Sequence, residues 1–426
     1  MTDPAKEIHD VPATPVPLGR NRDFLVLWTG QMVSTLGTRI SATAIPLLVL
    51  AMTGSPADAG IVGAAGTVPY LMSLPVGVLV DRWNRRTIML VSQVAAGIAL
   101  FSIPVALWLH HLSVGQLALA AFVQGCGGAF YGVAESAALP VIVPPVQRPA
   151  AVAQNEARSR GAFLVGPPLG GVLYGLGRAV PFLVDALSYL VAVVGLLFIR
   201  GPLQGERSHT DLPLRRQMID GLRWLWRLAF ARTAVLLIAA SNLVFAALAL
   251  VLIVLARTRG ATSSEIGLMM GIYGGGGLLG TLVAARLHRH LNPKVVLIGI
   301  NWIWAALLPM LLLTPNPLLL GAIAGATAFV GPLWDVAIMT YQMAIVPEQM
   351  MGRVASTVMM VTAGVMPLGS LGAGYLLDTL GPSHTLLVLT AVMVAVAIAA
   401  SLSRAIRHIP PLADTEALAA LAPTLV

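Results

Sequence analysis

The sequence predicts an all-α membrane protein whose twelve transmembrane helices form two pseudo-symmetric six-helix bundles. The 426 residues are 57% hydrophobic and only 10% charged, with a mean hydropathy of +0.84, whereas about a quarter of the residues in a soluble domain are charged. Apolar runs of about 20 residues, long enough to cross a hydrocarbon core of about 30 Å, recur along the chain. Special residues also recur at a constant offset between the two halves, which predicts the two bundles.

Twelve apolar runs, separated by polar joints, define the predicted spans. The first is preceded by residues 1–23, which are polar and of mixed charge, so we expect a cytoplasmic tail there rather than a cleavable signal. We expect a second cytoplasmic tail at 405–426. The spans cover residues 24–50, 58–80, 87–109, 114–139, 150–176, 181–199, 232–256, 265–286, 294–313, 317–345, 353–377 and 384–404.

The distribution of basic residues predicts the orientation in the membrane. With the N-terminus inside, 20 of the 26 Lys and Arg residues fall on the inner side, and only Arg178, Arg257 and Arg259 fall in outer joints. The positive-inside rule then places both termini in the cytoplasm. It also explains the net charge of +8 without a nucleic-acid partner. We expect a monomer embedded in the lipid bilayer of a bacterial inner (plasma) membrane.

The longest joint, residues 200–231, separates an N-terminal bundle (24–199) from a C-terminal bundle (232–404). Its second half places apolar residues such as Leu225 on one helical face and arginines such as Arg223 on another. This pattern predicts an amphipathic helix lying in the cytoplasmic interface.

A repeat relates the two bundles. A parallel repeat of six helices is what an alternating-access transporter needs, because two similar bundles then rock about a central site. At an offset of 203 residues, Gly77 falls on Gly280, Val143-Pro144 on Val346-Pro347, Gly166 on Gly369, and Gly171 on Gly374.

The stretch GVLVDRWNRR, residues 77–86, concentrates charge directly behind an apolar run. Gly77 lets a neighbouring helix approach closely, and Asp81 can face the positive N-terminal end of a helix. Arg82, Arg85 and Arg86 complete the motif. A topogenic loop that obeys the positive-inside rule would explain the arginines but not the aspartate. An ionic contact at a helix end would explain the aspartate, and because the resemblance described next implies a gating role, we call residues 77–86 the gating motif.

This motif resembles the signature between the second and third helices of the major facilitator superfamily, Gly-x-x-x-Asp-Arg-x-x-Arg-Arg. The phrases NRDFLVLWTGQMVSTLG, VDALSYL and VPEQMMGRV resemble the branch that includes the enterobactin exporter and the macrolide efflux pumps. The resemblance implies a latch at the cytoplasmic end, in which Asp81 faces the eleventh helix and the arginines join it to the fourth, where the acid is Glu135. The second half lacks this aspartate, because Asp81 aligns with Ala284.

The fifth span contains GAFLVGPPLGG, in which Gly166, Pro167, Gly170 and Gly171 resemble a signature of antiporters and efflux proteins within the superfamily. Proline bends a helix and glycines allow close packing, so the span could seal against leak. Ordinary helix packing is the alternative explanation. The match is partial, because Ala162 stands where the family has a glycine.

Polar side chains inside spans point to a substrate cavity, because each is costly in lipid unless it meets water or a partner. Gln31, Thr35 and Arg39 are spaced four apart on the first span, which the resemblance places beside the central cavity. Asn242 is the repeat partner of Arg39, and Trp334 adds an aromatic surface. Arg39 either favours an anionic or acceptor-rich substrate or forms a structural salt bridge, and the sequence leaves both open.

Asp335, Glu156 and Asp185 are the candidates for proton coupling. A carboxyl group in a partly dry cavity can load and release protons near neutral pH. Asp335 lies on the tenth span, which the resemblance places at the cavity. Asp185 belongs to a family phrase, Asp-x-x-Ser-aromatic, for which a structural role is the alternative. Glu156 lies near the inner end with Arg158 and Arg160 available as partners, so gating is its alternative role.

No ATP-binding loop is present, and the GxGxxG pattern at 275–280 lies inside an apolar run without a preceding strand, so we expect no nucleotide cofactor. The single Cys126 excludes disulfides and cysteine metal sites. With the resemblance, the sequence predicts a transporter rather than an enzyme, one that exports a small hydrophobic or amphipathic molecule, such as a drug, antibiotic or siderophore-like metabolite, in exchange for protons. The alternatives are a lipid or lysophospholipid flippase or importer, and a receptor that binds without transporting.

Overall fold

The computed structural model describes residues 17–204, 214–287, 293–346 and 350–407. Most of the two predicted tails lies outside these ranges. The described residues form a bundle of helices joined by short loops. The helices are α1 (Arg22–Thr53), α2 (Pro56–Thr67), α3 (Ser73–Arg82), α4 (Arg85–Trp108), α5 (Val114–Ile142), α6 (Arg148–Leu176), α7 (Val180–Phe198), α8 (Leu214–Arg227), α9 (Ala229–Thr258), α10 (Ser263–Leu287), α11 (Pro293–Met310), α12 (Pro317–Ile345), α13 (Met351–Gly364), α14 (Met366–Leu402) and α15 (Arg404–Arg407).

Polar caps in the joints define several helix ends. The side chains of Asn21, Ser55, Asn84 and Ser113 each accept a hydrogen bond from a backbone N–H in the first turn of α1, α2, α4 and α5. Such caps satisfy donors that a helix start leaves unpaired. Gly54 ends α1 with a φ of 71°, a conformation that glycine adopts without strain. These short capped joints bring consecutive helices back across the bundle.

The predicted all-α membrane fold is confirmed. Within the described residues, eight helical segments are long and apolar enough to cross a membrane, and one of them, 353–402, covers the eleventh predicted span and all but the last two residues of the twelfth. The shorter α11 corresponds to the ninth predicted span. The fifth corresponds to α6, whose first half carries several charged residues.

Two predicted spans have interruptions that the hydropathy pattern does not show. The second is broken into α2, a 3₁₀ turn at Val68–Met72 and α3, because Pro69 cannot continue a regular α-helix. The eleventh is broken between α13 and α14 at Val365. Inside α14 the chain turns sharply at Gly381, with a φ of 74°, immediately before Pro382. This turn separates the eleventh and twelfth spans.

Helices α1–α7 pack as one bundle and α9–α14 as a second. In the first, α4 packs on α5 and α7, and α1 packs on α7. In the second, α10 packs on α12, and α14 on α9. Helix α8 packs on α13 and α9 and buries Trp224 and Leu225. Its Gly221 contacts α13, where an added Cβ would lie 2.6 Å from the carbonyl oxygen of Arg353.

Paired glycines join the two bundles along α6–α10 and α2–α14. An added Cβ on Gly171 would lie 2.8 Å from the Cα of Gly267, and one on Gly60 would lie 2.9 Å from the Cα of Gly374. We call these four residues the glycine seal. Both contacts lie towards the end where α1 finishes and α2 begins, and there Arg257 donates to the carbonyl oxygen of Leu47 at 3.4 Å. The bundles are therefore closed against each other at that end.

Candidate functional site: a cavity between the bundles

A cavity of about 240 Å³ lies between the bundles at the level of the middle of α6 and α12. The second bundle supplies most of its wall, and α6 supplies the facing side. Its position between two packed units is where small-molecule sites commonly lie. The lining residues are Arg160, Phe163, Ile238, Ser241, Asn242, Phe245, Tyr273, Gly274, Gly277, Trp304, Thr327, Ala328, Gly331, Pro332, Trp334 and Asp335.

Three aromatic rings packed against one another form one side of the cavity. The rings of Phe245 and Trp304 meet edge to face, with centroids 4.8 Å apart, and the centroid of Trp334 is 6.2 Å from that of Trp304. The indole N–H of Trp304 donates to the carbonyl oxygen of Thr327 at 2.8 Å, which fixes the ring. A fixed aromatic surface of this kind binds apolar and aromatic solutes.

Two polar side chains on α9 face the cavity beside these rings. The side-chain amide of Asn242 donates to the carbonyl oxygen of Thr362 at 3.0 Å and so joins α9 to α13. The hydroxyl of Ser241 is buried and has no hydrogen-bond partner among the described residues. Because a buried hydroxyl ordinarily finds a partner, Ser241 can bind a polar group of a ligand.

Three charged residues lie at the contact between the bundles. On α6, Nε of Arg160 donates to Oε1 of Glu156 at 2.7 Å. Asp335 lies opposite on α12, exposed within the cavity, and interacts electrostatically with both Arg160 and Glu156. The carboxylate of one bundle therefore faces the cation of the other across the cavity.

The predicted cavity residues divide into two groups. Asn242 and Trp334 line the cavity, whereas Gln31, Thr35 and Arg39 on α1 are absent from its wall. Gln31 accepts a hydrogen bond from Gln93 at 3.1 Å, inside the first bundle.

Arg39 reaches the cavity only through Phe163. Its guanidinium carbon lies 4.5 Å from the centroid of the Phe163 ring, a cation–π contact, and Nε has no hydrogen-bond partner among the described residues. Arg39 therefore supports the wall from behind.

Several cavity residues were not singled out from the sequence, chiefly Arg160, Phe163, Ser241, Phe245 and Tyr273. One signal was available. Ile238, Asn242 and Phe245 are spaced by four and three residues, which places them on one face of α9. The remaining lining residues lie on four further helices, and their convergence depends on how the bundles dock.

The glycine motif of the fifth span holds α6 between α1 and α10. Gly166 lies directly against Cβ of Arg39, and a Cβ on Gly170 would lie 2.7 Å from the carbonyl oxygen of Ile40. Gly171 faces the other way, onto α10, and the carbonyl oxygen of Pro167 lies 2.6 Å from where a Cβ on Gly267 would be. The motif thus provides close packing on two sides of one helix.

The basic residues of the gating motif bind backbone carbonyls within the first bundle. Arg85 donates to the carbonyl oxygen of Ala137 on α5 at 2.8 Å. Arg86 donates to those of Leu196 and Leu197 at 3.1 and 3.0 Å. Arg82 is exposed, and the side chain of Asp81 is outside the described part of the chain.

Gly77 and Glu135, the other two residues assigned to gating, lie apart from these arginines. An added Cβ on Gly77 would meet no described atom within 4 Å, although α3 itself packs on α5 and touches α13. Glu135 forms two hydrogen bonds, of 2.9 and 3.2 Å, with Arg158 on α6. This ion pair is buried, with side chains 8% and 10% exposed.

Asp185 lies in a polar network inside the first bundle and is fully buried. Its carboxylate accepts hydrogen bonds from Gln124 at 3.1 Å and from Ser188 at 3.2 Å. Gln124 also donates to the Tyr189 hydroxyl at 3.2 Å. Gly37 makes room for the carboxylate, since a Cβ there would lie 2.5 Å from Oδ1. The network lies outside the lining of the cavity.

Comparison with known proteins agrees with this architecture. Residues 13–423 match the sequence profile of the transmembrane secretion effectors of the major facilitator superfamily. The chain belongs to this family. It is 26% identical to the multidrug efflux pump Tap of Mycolicibacterium fortuitum over 88% of this chain and 94% of that protein. It is also 26% identical to macrolide efflux protein A of Streptococcus pyogenes, over 47% of this chain and 50% of that protein.

Among solved structures, the nucleoside transporter NupG superposes with a TM-score of 0.71 at 13% identity, over 89% of this chain and 99% of that one. At this identity the likeness shows the fold alone. Membership of the transmembrane secretion effector family confirms the resemblance to the efflux branch of the superfamily. The chain is a multi-pass membrane transporter, and the prediction that it is not an enzyme is confirmed.

Proposed function

We propose that this transporter exports a small hydrophobic or amphipathic molecule, such as a drug, antibiotic or siderophore-like metabolite, in exchange for protons. It acts as a monomer in the bacterial inner membrane with both termini in the cytoplasm. One observation carries the proposal: Asp335 of one bundle faces the Arg160–Glu156 pair of the other across a cavity with an aromatic wall. The efflux activities named for the relatives are consistent with it.

The glycine seal assigns the state of the transport cycle. The positive-inside rule makes the sealed end the outer end, so the cavity lies on the cytoplasmic side of the seal. In this inward-open state, substrate enters from the cytoplasm or the inner leaflet. The aromatic rings hold its apolar part, and the Ser241 hydroxyl and Asn242 offer polar contacts.

Asp335 provides the coupling because its charge acts between the bundles. An ionised Asp335 attracts Arg160 and competes with Glu156 for it, and this attraction depends on the separation of the bundles. Protonation removes the attraction and leaves Arg160 with Glu156 alone. Binding of a proton therefore shifts the balance between inward-open and outward-open states. Asp185 lies within one bundle, so we assign it a structural role in holding α5 and α7 together.

The gating motif acts in the opposite state. Gly77 has open space at its own position here, although α3 already touches α13 of the second bundle, so the close approach at the inner end is not yet made. When that end closes, a helix of the second bundle can approach Gly77 and face Asp81, as the family resemblance implies. The Glu135–Arg158 pair keeps α5 and α6 together, so the first bundle moves as a unit.

Transport by purified protein in proteoliposomes tests the coupling. The probes are a panel of macrolides and the hydrophobic dye ethidium, and the readouts are substrate movement and substrate-stimulated proton flux. We expect Asp335→Asn to bind the transported compound as the parent does, but its substrate-stimulated proton flux should be at least tenfold lower. Asp378→Asn is the matched control, because Asp378 is an exposed acid near the end of the eleventh span.

Two results would overturn the proposal. One is an Asp335→Asn variant that couples as well as the parent. The other is a parent protein that moves no compound of the panel while it translocates phospholipid or lysophospholipid between leaflets, which would establish the flippase alternative.

A further inference from the structure

A second large apolar space lies on the outer surface of the first bundle, away from the central cavity. It is a groove of about 550 Å³ between α4 and α5. Helix α4 packs on α5 and α7, and the groove lies on the side that these contacts leave free, where Val91 of its wall is exposed. The groove therefore opens towards the membrane. Its lining residues are Trp83, Asn84, Thr87, Ile88, Val91, Ser92, Ala95, Val123, Cys126, Gly127 and Phe130.

Small side chains at the helix crossing create the groove. Ser92, Ala95, Cys126 and Gly127 lie along it. The backbones are close there, since a Cβ on Gly127 would lie 3.0 Å from the carbonyl oxygen of Ser92. A recess between two helices is thus built into the sequence.

The groove has the length of one lipid leaflet. From Asn84 to Ala95 it follows α4 for about 16 Å at 1.5 Å per residue, about half of a hydrocarbon core of roughly 30 Å. Two of its polar residues, Asn84 and Thr87, are at one end, and beyond them Ser92 is the one polar side chain with a hydroxyl in an otherwise apolar wall. This is the polarity of a lipid whose headgroup is at the α3–α4 turn.

The headgroup end of the groove is basic. Arg82 is exposed, directly precedes Trp83 in the wall, and has no acidic partner among the described side chains. Arg85 and Arg86 follow within the same turn. A tryptophan beside an exposed arginine at a membrane interface favours an anionic headgroup, and Arg85 and Arg86, which bind backbone carbonyls, add positive charge nearby.

We propose that the groove binds one anionic phospholipid of the leaflet on the α3–α4 side. One acyl chain lies between α4 and α5, and the phosphate lies beside Arg82. This lipid is a fixed part of the protein's surface and is separate from any molecule transported through the central cavity. The proposal does not depend on proton coupling or on the exported substrate.

Lipid retention tests the site directly. The full chain is reconstituted in vesicles of equal parts phosphatidylcholine and phosphatidylglycerol, extracted, and examined by native mass spectrometry for retained lipid. We expect one phosphatidylglycerol per protein to be retained in preference to phosphatidylcholine. Ala95→Phe should abolish retention by filling the groove, whereas Ile98→Phe should not, because Ile98 is exposed on α4 and is not part of the groove wall. Arg82→Gln should reduce the preference about fivefold, the effect of one basic side chain near an anionic surface.

Cys126 gives a second measurement on the unmodified protein. It is the only cysteine in the sequence and lies in the groove. We expect its alkylation by N-ethylmaleimide to be several-fold slower in vesicles containing phosphatidylglycerol than in pure phosphatidylcholine, with the difference lost in Arg82→Gln. Retention of the two lipids in proportion to their supply, or equal alkylation rates in both membranes, would overturn the proposal. Retention by Ala95→Phe at the parent level would do the same.

Discussion

Gly171 on α6 and Gly267 on α10 are in direct backbone contact, with the Cα of Gly171 only 2.8 Å from the position of a Cβ on Gly267. The second interface repeats this arrangement between Gly374 on α14 and Gly60 on α2. Gly171 and Gly374 are also partners at the 203-residue offset of the sequence repeat. The two helix crossings that close one end of the transporter are therefore copies of one contact, related by the pseudo-two-fold axis.

Substitution within the glycine seal should open the sealed end. In Gly171→Ala the new Cβ meets backbone atoms of Ser263 and Gly267, which cannot rotate away, so the closed contact loses about 1–3 kcal/mol. The population should shift towards the opposite state. Spin labels at Arg178→Cys and Thr379→Cys, in a Cys126→Ala background, would report this shift as a longer distance between the bundles by pulsed electron resonance.

Matched controls lie on the same helices. Gly175→Ala would meet only the Ser264 hydroxyl, at 3.5 Å, and Gly63→Ala would meet only the Ser370 side chain, at 3.6 Å or more. Both should keep the parent distance, whereas Gly60→Ala should behave like Gly171→Ala. Identical distance distributions for Gly171→Ala and Gly175→Ala would show that the seal does not control the state.

Gly77→Ala should favour the state seen in this structure, whereas substitution in the glycine seal should favour the opposite state. Its new Cβ has open space in this structure, and alanine inside a helix is about 0.5–1 kcal/mol more favourable than glycine. We therefore expect an unchanged or higher thermal stability together with loss of transport, because closure of the inner end needs the close approach. Gly132→Ala, which also has open space but lies outside the motif, should transport normally. Full transport by Gly77→Ala would contradict the gating role.

The fold was predictable because lipid imposes a strong pattern on sequence. A bilayer requires apolar helices about 20 residues long, and α1, observed at Arg22–Thr53, contains the predicted span at 24–50. Hydropathy carries no information about backbone hydrogen bonds, so it could not show that the second span breaks at Val68–Met72. Pro69 was the available signal for that break.

The candidate site was less predictable, because it depends on docking between helices distant in sequence. Asn242 could be selected from the sequence repeat, and its side chain does line the cavity. Arg39 was selected because a charge in a span is costly, but its guanidinium packs on Phe163 behind the cavity wall. Sequence spacing defines the face of a helix, and only the packed bundles define what that face contacts.

The buried Glu135–Arg158 pair should contribute strongly to stability. Glu135→Gln leaves the guanidinium of Arg158 buried without its charge partner. For such pairs this lowers the free energy of unfolding by about 3–5 kcal/mol. A clear fall in the thermal unfolding temperature in detergent should reveal it. Glu156→Gln removes the corresponding partner of Arg160, but those side chains are 38% and 55% exposed, so the expected loss is about 0–1 kcal/mol. Equal falls for both variants would argue against the structural role of the buried pair.

Trp304 should contribute to substrate affinity, and α11 carries its own control. Trp304 lies in the cavity wall against Phe245, whereas Trp302 is 44% exposed on the outer side and donates to the Ser401 hydroxyl. An aromatic contact is worth about 0.5–1.5 kcal/mol, and the smaller phenyl ring of Trp304→Phe should lose part of it, so the KM for an aromatic substrate should rise about two- to fivefold with little change in kcat. Trp302→Phe should leave both constants unchanged. Because both variants keep an aromatic ring on the same helix, a rise in KM for both would indicate a general packing defect and would exclude a specific contact between Trp304 and the substrate.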